Sequence, residues 1–314
     1  MTSIDPHNTS KVSIVEVGPR DGFQSIAQFI PTPIKKGIIQ RLHASGIRRI
    51  EATSFVSEKA LPQMADAAEV MTFAQSLPGV ECQVLVPSLR HAQRALDAGA
   101  KRLSFVVSVS EAHNRGNVRR TPAESVEDYG QIVAMTPDDV GVRINIATAF
   151  DCPHQGTVAV KDVLTLMEQV LPIMPTAEFA ICDTTGRANP RHVIDLFHAL
   201  QREYGADKAW AFHAHDTFGL GAANVWAAWT AGVQTFDAAI AGVGGCPYAP
   251  GAKGNVATED LVWLFEQSGV ATGIDLPLLV SAARVMHHVP GAELGGRVRV
   301  AMQSARCVDT PAHA

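Results

Sequence analysis

Residues 209–241 read AWAFHAHDTFGLGAANVWAAWTAGVQTFDAAIA, and this stretch decides the fold. Trp210 to His215 has the apolar, aromatic character of a buried strand, and residues 219–230 carry a helical pattern. Thr235 to Ala241 is again strand-like. Outward from this unit the same alternation recurs. Six earlier strands are predicted: Val12–Val17, Arg48–Ala52 (ending near Glu51), Cys82–Val86, Leu103–Val109, Val142–Thr148 and Glu178–Cys182. Helical patterns separate them, with Ser110 to Arg120 read as a polar loop ahead of a helix that Thr121, Pro122 and Glu124 cap. Eight strand–helix alternations predict an α/β fold, a (β/α)8 TIM barrel. A doubly wound sheet is the competitor, but the turn after the first strand, GPRDG, lacks the GxGxxG phosphate pattern. A mobile glycine-rich catalytic loop, Gly242 to Gly254, is expected after the eighth strand, followed by C-terminal helices near Thr258 and at 276–287. Residues 11–302 are expected to form one barrel domain, with 1–10 a disordered tail and 303–314 a loose one.

Composition narrows the function classes. The chain has 314 residues, 46% of them apolar and 18% charged, as in ordinary globular proteins. No apolar run reaches the ~18 residues of a membrane span. The first ten residues, MTSIDPHNTS, lack the features of a signal or transit peptide. Five cysteines without CxxC spacing fit a reducing compartment, so a cytoplasmic protein is expected. A net charge of −5 provides no footprint for nucleic acid.

The barrel reading converts scattered polar residues into a site. In TIM barrels, active groups sit at the C-terminal ends of strands. Arg20 and Asp21 follow the first strand, Glu51 ends the second, Asp183 follows the sixth, and His213 and His215 close the seventh. Two histidines at i and i+2 on a strand face the same way, and neutral imidazole is a common metal ligand. Cys246 and Asn255 lie in or just after the last loop. One Asp, two His and an Asn form a mixed oxygen and nitrogen shell suited to Mg2+ or Mn2+. Such a cation polarises a hydroxyl or carboxylate of a substrate. Arg20, beside Asp21, suits a developing oxyanion or enolate, or alternatively a salt bridge to Glu51. Cys246 is placed to give or take a proton, or else simply packs. A Schiff-base aldolase needs an inward lysine at a strand end, and no predicted strand supplies one.

With VEVGPRDGFQ (15–24), IEATSFVS (50–57), FHAHDTFG (212–219), AGVGGCPYAPGAKGN (241–255) and ATEDLV (257–262) in view, the chain resembles the 3-hydroxy-3-methylglutaryl-CoA lyases of the DRE-TIM metallolyase superfamily. The resemblance implies retro-Claisen cleavage of a 3-hydroxy-3-methylglutaryl-CoA-like thioester into acetyl-CoA and a keto acid such as acetoacetate. It implies that Asp21, His213, His215 and Asn255 hold the metal, with Asp21 also helping to remove the hydroxyl proton. Arg20 then neutralises the enolate and Cys246 protonates it. Glu51 and Asp183 complete the polar floor, and Gln24, Asn117 and Thr184 join Arg20 as substrate contacts. Family members are often homodimers. Departures at Phe23-Gln24-Ser25-Ile26 and at His154-Gln155 bear on the acyl group. Arg115, Arg119 and Arg120 are expected to meet coenzyme A phosphates. Two alternatives stay open: an acetyl-CoA-dependent Claisen synthase or metal-dependent aldolase of the same superfamily, and a catalytically silent acyl-CoA or metal binder.

Overall fold

A computed structural model of the protein describes residues 11–246 and 249–302; side chains of residues 245–253 lie outside that description. The tails expected at 1–10 and 303–314 are likewise outside the described residues. Eight parallel strands close a barrel: β1 Ser13–Glu16, β2 Arg49–Ser54, β3 Glu81–Leu85, β4 Arg102–Ser108, β5 Gly141–Ala147, β6 Glu178–Cys182, β7 Ala209–His213 and β8 Thr235–Ala238. Each strand pairs in parallel with its neighbours in sequence, and β1 pairs with β8 to close the ring. The helices that flank it are α1 Thr32–Ala44, α2 Ala67–Ser76, α3 Leu89–Asp97, α4 Glu111–Val118, α5 Pro122–Met135, α6 Val160–Val170, α7 Pro190–Tyr204, α8 Gly221–Thr230, α9 Thr258–Gln267 and α10 Leu276–Val285. None is long and apolar enough to cross a membrane.

The period of two along each strand sorts the side chains. On the outer face, Phe212 meets Phe197 of α7, Phe236 meets Phe265 of α9 and Phe105 stacks on Tyr129 of α5. The alternate positions face the barrel axis. Aliphatic layers usually fill such an interior. Here it holds charge: Arg143 is fully buried, 2.8 Å from Glu178 and 2.5 Å from Asp237. A buried guanidinium costs several kcal/mol unless paired, so the two carboxylates are what allow it there.

The structure departs from the sequence expectations in places that shape the site. The second strand continues to Ser54, so Glu51 is a buried mid-strand residue rather than a strand end. The expected loop at 110–120 contains helix α4, because Ser110 Oγ accepts the His113 N–H and caps it. Arg119, with φ of 59°, ends that helix. The GPRDG segment is a π-helical turn, Gly18–Gly22. The eighth strand stops at Ala238, before a 3-10 turn at Ile240–Gly242. Buried carboxylates hold that turn: Glu16 accepts the Ile240 N–H at 2.8 Å and Glu259 accepts the Ala241 N–H at 3.0 Å. Within the glycine-rich loop, Gly245–Cys246 and Ala249–Lys253 pair as a short antiparallel ladder.

Candidate active site

The turn after β1 and the end of β7 converge. One ligand atom each from Asp21, His213 and His215 lies within 4.8 Å of the others. The two imidazole rings are 5.0 Å apart. Asn255 reaches them because its backbone bridges His215, and its Nδ2 donates to Asp21 Oδ2 at 2.8 Å and to the Val243 carbonyl at 3.1 Å. Two glycines make this closeness possible. A Cβ on Gly22 would stand 2.2 Å from Val243 Cγ2, and one on Gly244 would stand 2.6 Å from Asn255 Nδ2.

The residues fit a divalent cation. His215 Nδ1 and Asn255 Oδ1 are buried without a hydrogen-bond partner; the amide oxygen is an acceptor, and so is Nδ1 of a neutral imidazole with its hydrogen on Nε2. Burial, with His213 adding to it, pushes His215 down to about 3, so it is neutral at physiological pH. Burial alone would raise the Asp21 carboxyl, but the Arg20 guanidinium, then His213 and His215, outweigh it and hold Asp21 below the ordinary range. An ionised carboxylate beside neutral nitrogen and amide oxygen acceptors is a donor set for a hard cation.

Arg20 lies against both acids. Its Nη1 is 2.6 Å from Asp21 Oδ1, and its other side is ion-paired with Glu51. Arg20 thus makes the salt bridge to Glu51 and also lines the cavity. Gln24 Nε2 donates to Asp21 Oδ1 at 2.8 Å. Above this floor opens a cavity of about 460 Å³. Of the residues singled out in the sequence, Arg20, Asp21, Gln24, Asn117, Thr184, His213 and His215 line it. Glu51 stands behind Arg20 and also accepts from Gln83 at 3.2 Å.

Other expected residues are placed differently. Asp183 does not line the cavity; its carboxylate turns into its own loop and faces the Ala188 N–H at 3.2 Å. Burial raises it to about 7. The Cys246 side chain lies outside the described residues, so only its backbone ladder is seen. Arg119 and Arg120 border a second trough, about 640 Å³, that shares Val56, Ala60, Pro87, Asn117 and Val118 with the first cavity. Arg120 is also 3.0 Å from Asp128. Arg115 borders neither and pairs with Glu111 at 2.8 Å on an exposed helix face. Phe23 and Ile26 are buried away from the cavity, and His154 does not line it either.

Four residues escaped the sequence reading. His113 lines the cavity with Nδ1 2.7 Å from Ser108 Oγ, and burial, then His154, lowers it to about 4. Lys59 and His91 border the trough beside Arg119 and Arg120. Asp237 lies behind His213, with Oδ2 3.0 Å from His213 Nδ1. The signal for Asp237 was available: an acid in an otherwise apolar strand, at the same parity as its pair partner His213.

The HMGL-like family model matches residues 11–286. The chain belongs to the HMGL-like family. Hydroxymethylglutaryl-CoA lyase of Gallus gallus mitochondria is 40% identical over 271 residues, which is 86% of this chain and 90% of that protein. The mitochondrial enzyme of Arabidopsis thaliana is 39% identical over 292 residues; the match spans 93% of this chain but 62% of that longer protein. Among solved structures, a Bacillus subtilis HMG-CoA lyase superposes with a TM-score of 0.89 at 36% identity, covering 94% of this chain and 98% of that one. An Acinetobacter baumannii HMG-CoA lyase in complex with coenzyme A and 3-methylmalate superposes with a TM-score of 0.87 at 36% identity, over 100% and 99% of the two chains. This HMGL-like chain is accordingly a carbon–carbon lyase with a TIM-barrel fold.

Proposed function

We propose that this HMGL-like lyase cleaves 3-hydroxy-3-methylglutaryl-CoA to acetyl-CoA and acetoacetate with Mg2+ or Mn2+ bound by Asp21, His213, His215 and Asn255. The observation that carries the reading is the Asp21, His213 and His215 cluster at the floor of the cavity, with Arg20 against it. When bound, the cation polarises the tertiary hydroxyl and the carbonyl that forms from it.

The protein's own groups do the rest. Asp21, held ionised by Arg20, takes the hydroxyl proton. As C3 becomes a ketone, the C2–C3 bond breaks and its electron pair moves to the thioester as an enolate. The Arg20 guanidinium, already fixed by Asp21 and Glu51, meets that negative charge without reorganising. Cys246 delivers a proton to C2 from the glycine-rich loop, which completes acetyl-CoA. Gln24, Asn117 and Thr184, on the cavity wall, hold the acyl part. Lys59, Arg119 and Arg120 on the adjoining trough meet the coenzyme A phosphates of an otherwise acidic protein. A cytoplasmic homodimer completes this proposal; relatives carry both mitochondrial and cytoplasmic names, and sedimentation reads the oligomer directly.

Product analysis tests the assignment. Cleavage of 3-hydroxy-3-methylglutaryl-CoA should yield acetyl-CoA and acetoacetate in equal amounts. Net condensation from acetyl-CoA and a keto acid would indicate a synthase, and tight binding without turnover a silent binder.

A further inference from the structure

We infer that Asp237, anchored by Arg143, is the positioning residue that sets which nitrogen of His213 is offered to the metal. The inference rests on the metal reading proposed above. His213 and Asp237 are direct partners across β7 and β8, so the backbone register itself puts them side by side. His213 Nδ1 is 3.0 Å from Asp237 Oδ2. An ionised carboxylate only accepts, so Nδ1 carries the hydrogen and Nε2 keeps its lone pair.

Asp237 is itself immobilised. It is 3% exposed, and Arg143 Nη2 lies 2.5 Å from the same Oδ2. Arg143 has no solvent exposure, and its Nη1 is 2.8 Å from Glu178 Oε1. Glu178 is held in turn by Arg49 at 2.8 Å. Alternating charges therefore run along the barrel axis from Arg49, through Glu178, Arg143 and Asp237, to His213. The other histidine, His215, has no carboxylate partner of this kind: its outer hydrogen bond is to the Thr184 backbone, and its Nδ1 is buried and unpartnered. Outer partners of this kind fix the ring and raise its basicity, and removing one costs about 10–100-fold in metal affinity.

The direct test is a Mn2+ titration of metal-stripped protein, followed by electron paramagnetic resonance, comparing wild type with Asp237→Asn. The variant keeps the side-chain volume. Its dissociation constant should rise about 10–100-fold, while saturating Mn2+ restores most of kcat and leaves the thioester KM unchanged. Melting in EDTA reads any purely structural cost separately. A dissociation constant within twofold of wild type, whatever the melting temperature, overturns the inference while leaving the metal reading standing. A wild type that binds no Mn2+ overturns both. A second measurement needs no Asp237 variant. Imidazole nitrogen NMR of the metal-free wild type at pH 8.5, with the His213 signals identified by their loss in His213→Gln, should show the Nδ1–H tautomer. The Nε2–H tautomer would contradict the inference.

Discussion

The side-chain amide of Asn255 donates to Asp21 Oδ2 across 2.8 Å, joining residues 234 positions apart at the two ends of the barrel sequence. This contact closes the site: it ties the turn after β1 to the segment after β8. It also leaves Asn255 Oδ1 buried and unpartnered. Replacing Asn255 with Ala removes a candidate ligand and a hydrogen bond to a buried carboxylate. The expected result is a fall in metal affinity of about 10-fold or more and a stability loss of about 1–3 kcal/mol. Calorimetric Mn2+ titration and denaturant melts read the two separately; unchanged metal affinity would remove Asn255 from the ligand set.

Arg20 is held on both sides by carboxylates, so its planar fork matters as much as its charge. Arg20→Lys keeps the charge and loses the second contact. A drop in kcat of about 10²–10³ is expected, the size seen when one oxyanion donor is removed. The KM should change far less, since the lost interaction strengthens only as the enolate forms. An equal and opposite pattern, with KM raised and kcat intact, would assign Arg20 to ground-state binding.

The three loop arginines separate into two groups. Arg119 and Arg120 border the trough next to the cavity, whereas Arg115 is spent on Glu111 at an exposed surface. Arg119→Ala with Arg120→Ala should raise the thioester KM several-fold and flatten its dependence on salt. Arg115→Ala should leave both within error. Equal effects from all three would indicate general surface charge rather than a phosphate contact.

Two buried acids predict how stability depends on pH. Burial lifts Glu259 to about 8, with Glu16 nearby adding to it, and burial lifts Glu16 to about 7. An acid whose pKa rises on folding favours the folded state while it is protonated. That contribution is complete below its unfolded pKa, ~4.3, and is lost as pH climbs through 7 to 8. Melting temperature should therefore fall between pH 5 and 8.5. Glu259→Gln retains an acceptor for the Ala241 N–H and should flatten part of that fall. Parallel curves for wild type and variant would contradict the assignment.

Much of this was legible in the chain. The eight-strand order followed from alternation alone, because parallel strands buried on both faces stand out as short apolar runs between amphipathic helices. The Arg20, Asp21, His213, His215 set followed from their place at strand ends. What escaped has a common cause: it depends on contacts between distant segments. The helix at Glu111–Val118 hides in a polar stretch because its buried side rests on His113 and Asn114. Asp183 stood at the right strand end, but the open N–H groups of its own loop captured its carboxylate. Phe23 and Ile26 flank the Arg-Asp-Gly turn in sequence yet point into the core, so neighbourhood in sequence misplaced the acyl pocket wall. Asp237 stood out as an acid in an apolar strand, but its partner, like that of Arg143, followed only from the register that sets them beside His213 and Glu178.

The most direct test of the account strips the protein of metal with EDTA and follows cleavage of 3-hydroxy-3-methylglutaryl-CoA as Mn2+ or Mg2+ is returned, for wild type, His213→Gln and Cys246→Ala. The account predicts negligible cleavage without metal and full recovery in wild type. It predicts a large loss of metal binding in His213→Gln, and in Cys246→Ala normal metal binding with slow turnover. Undiminished cleavage by the stripped wild type, or by His213→Gln without added metal, would contradict it.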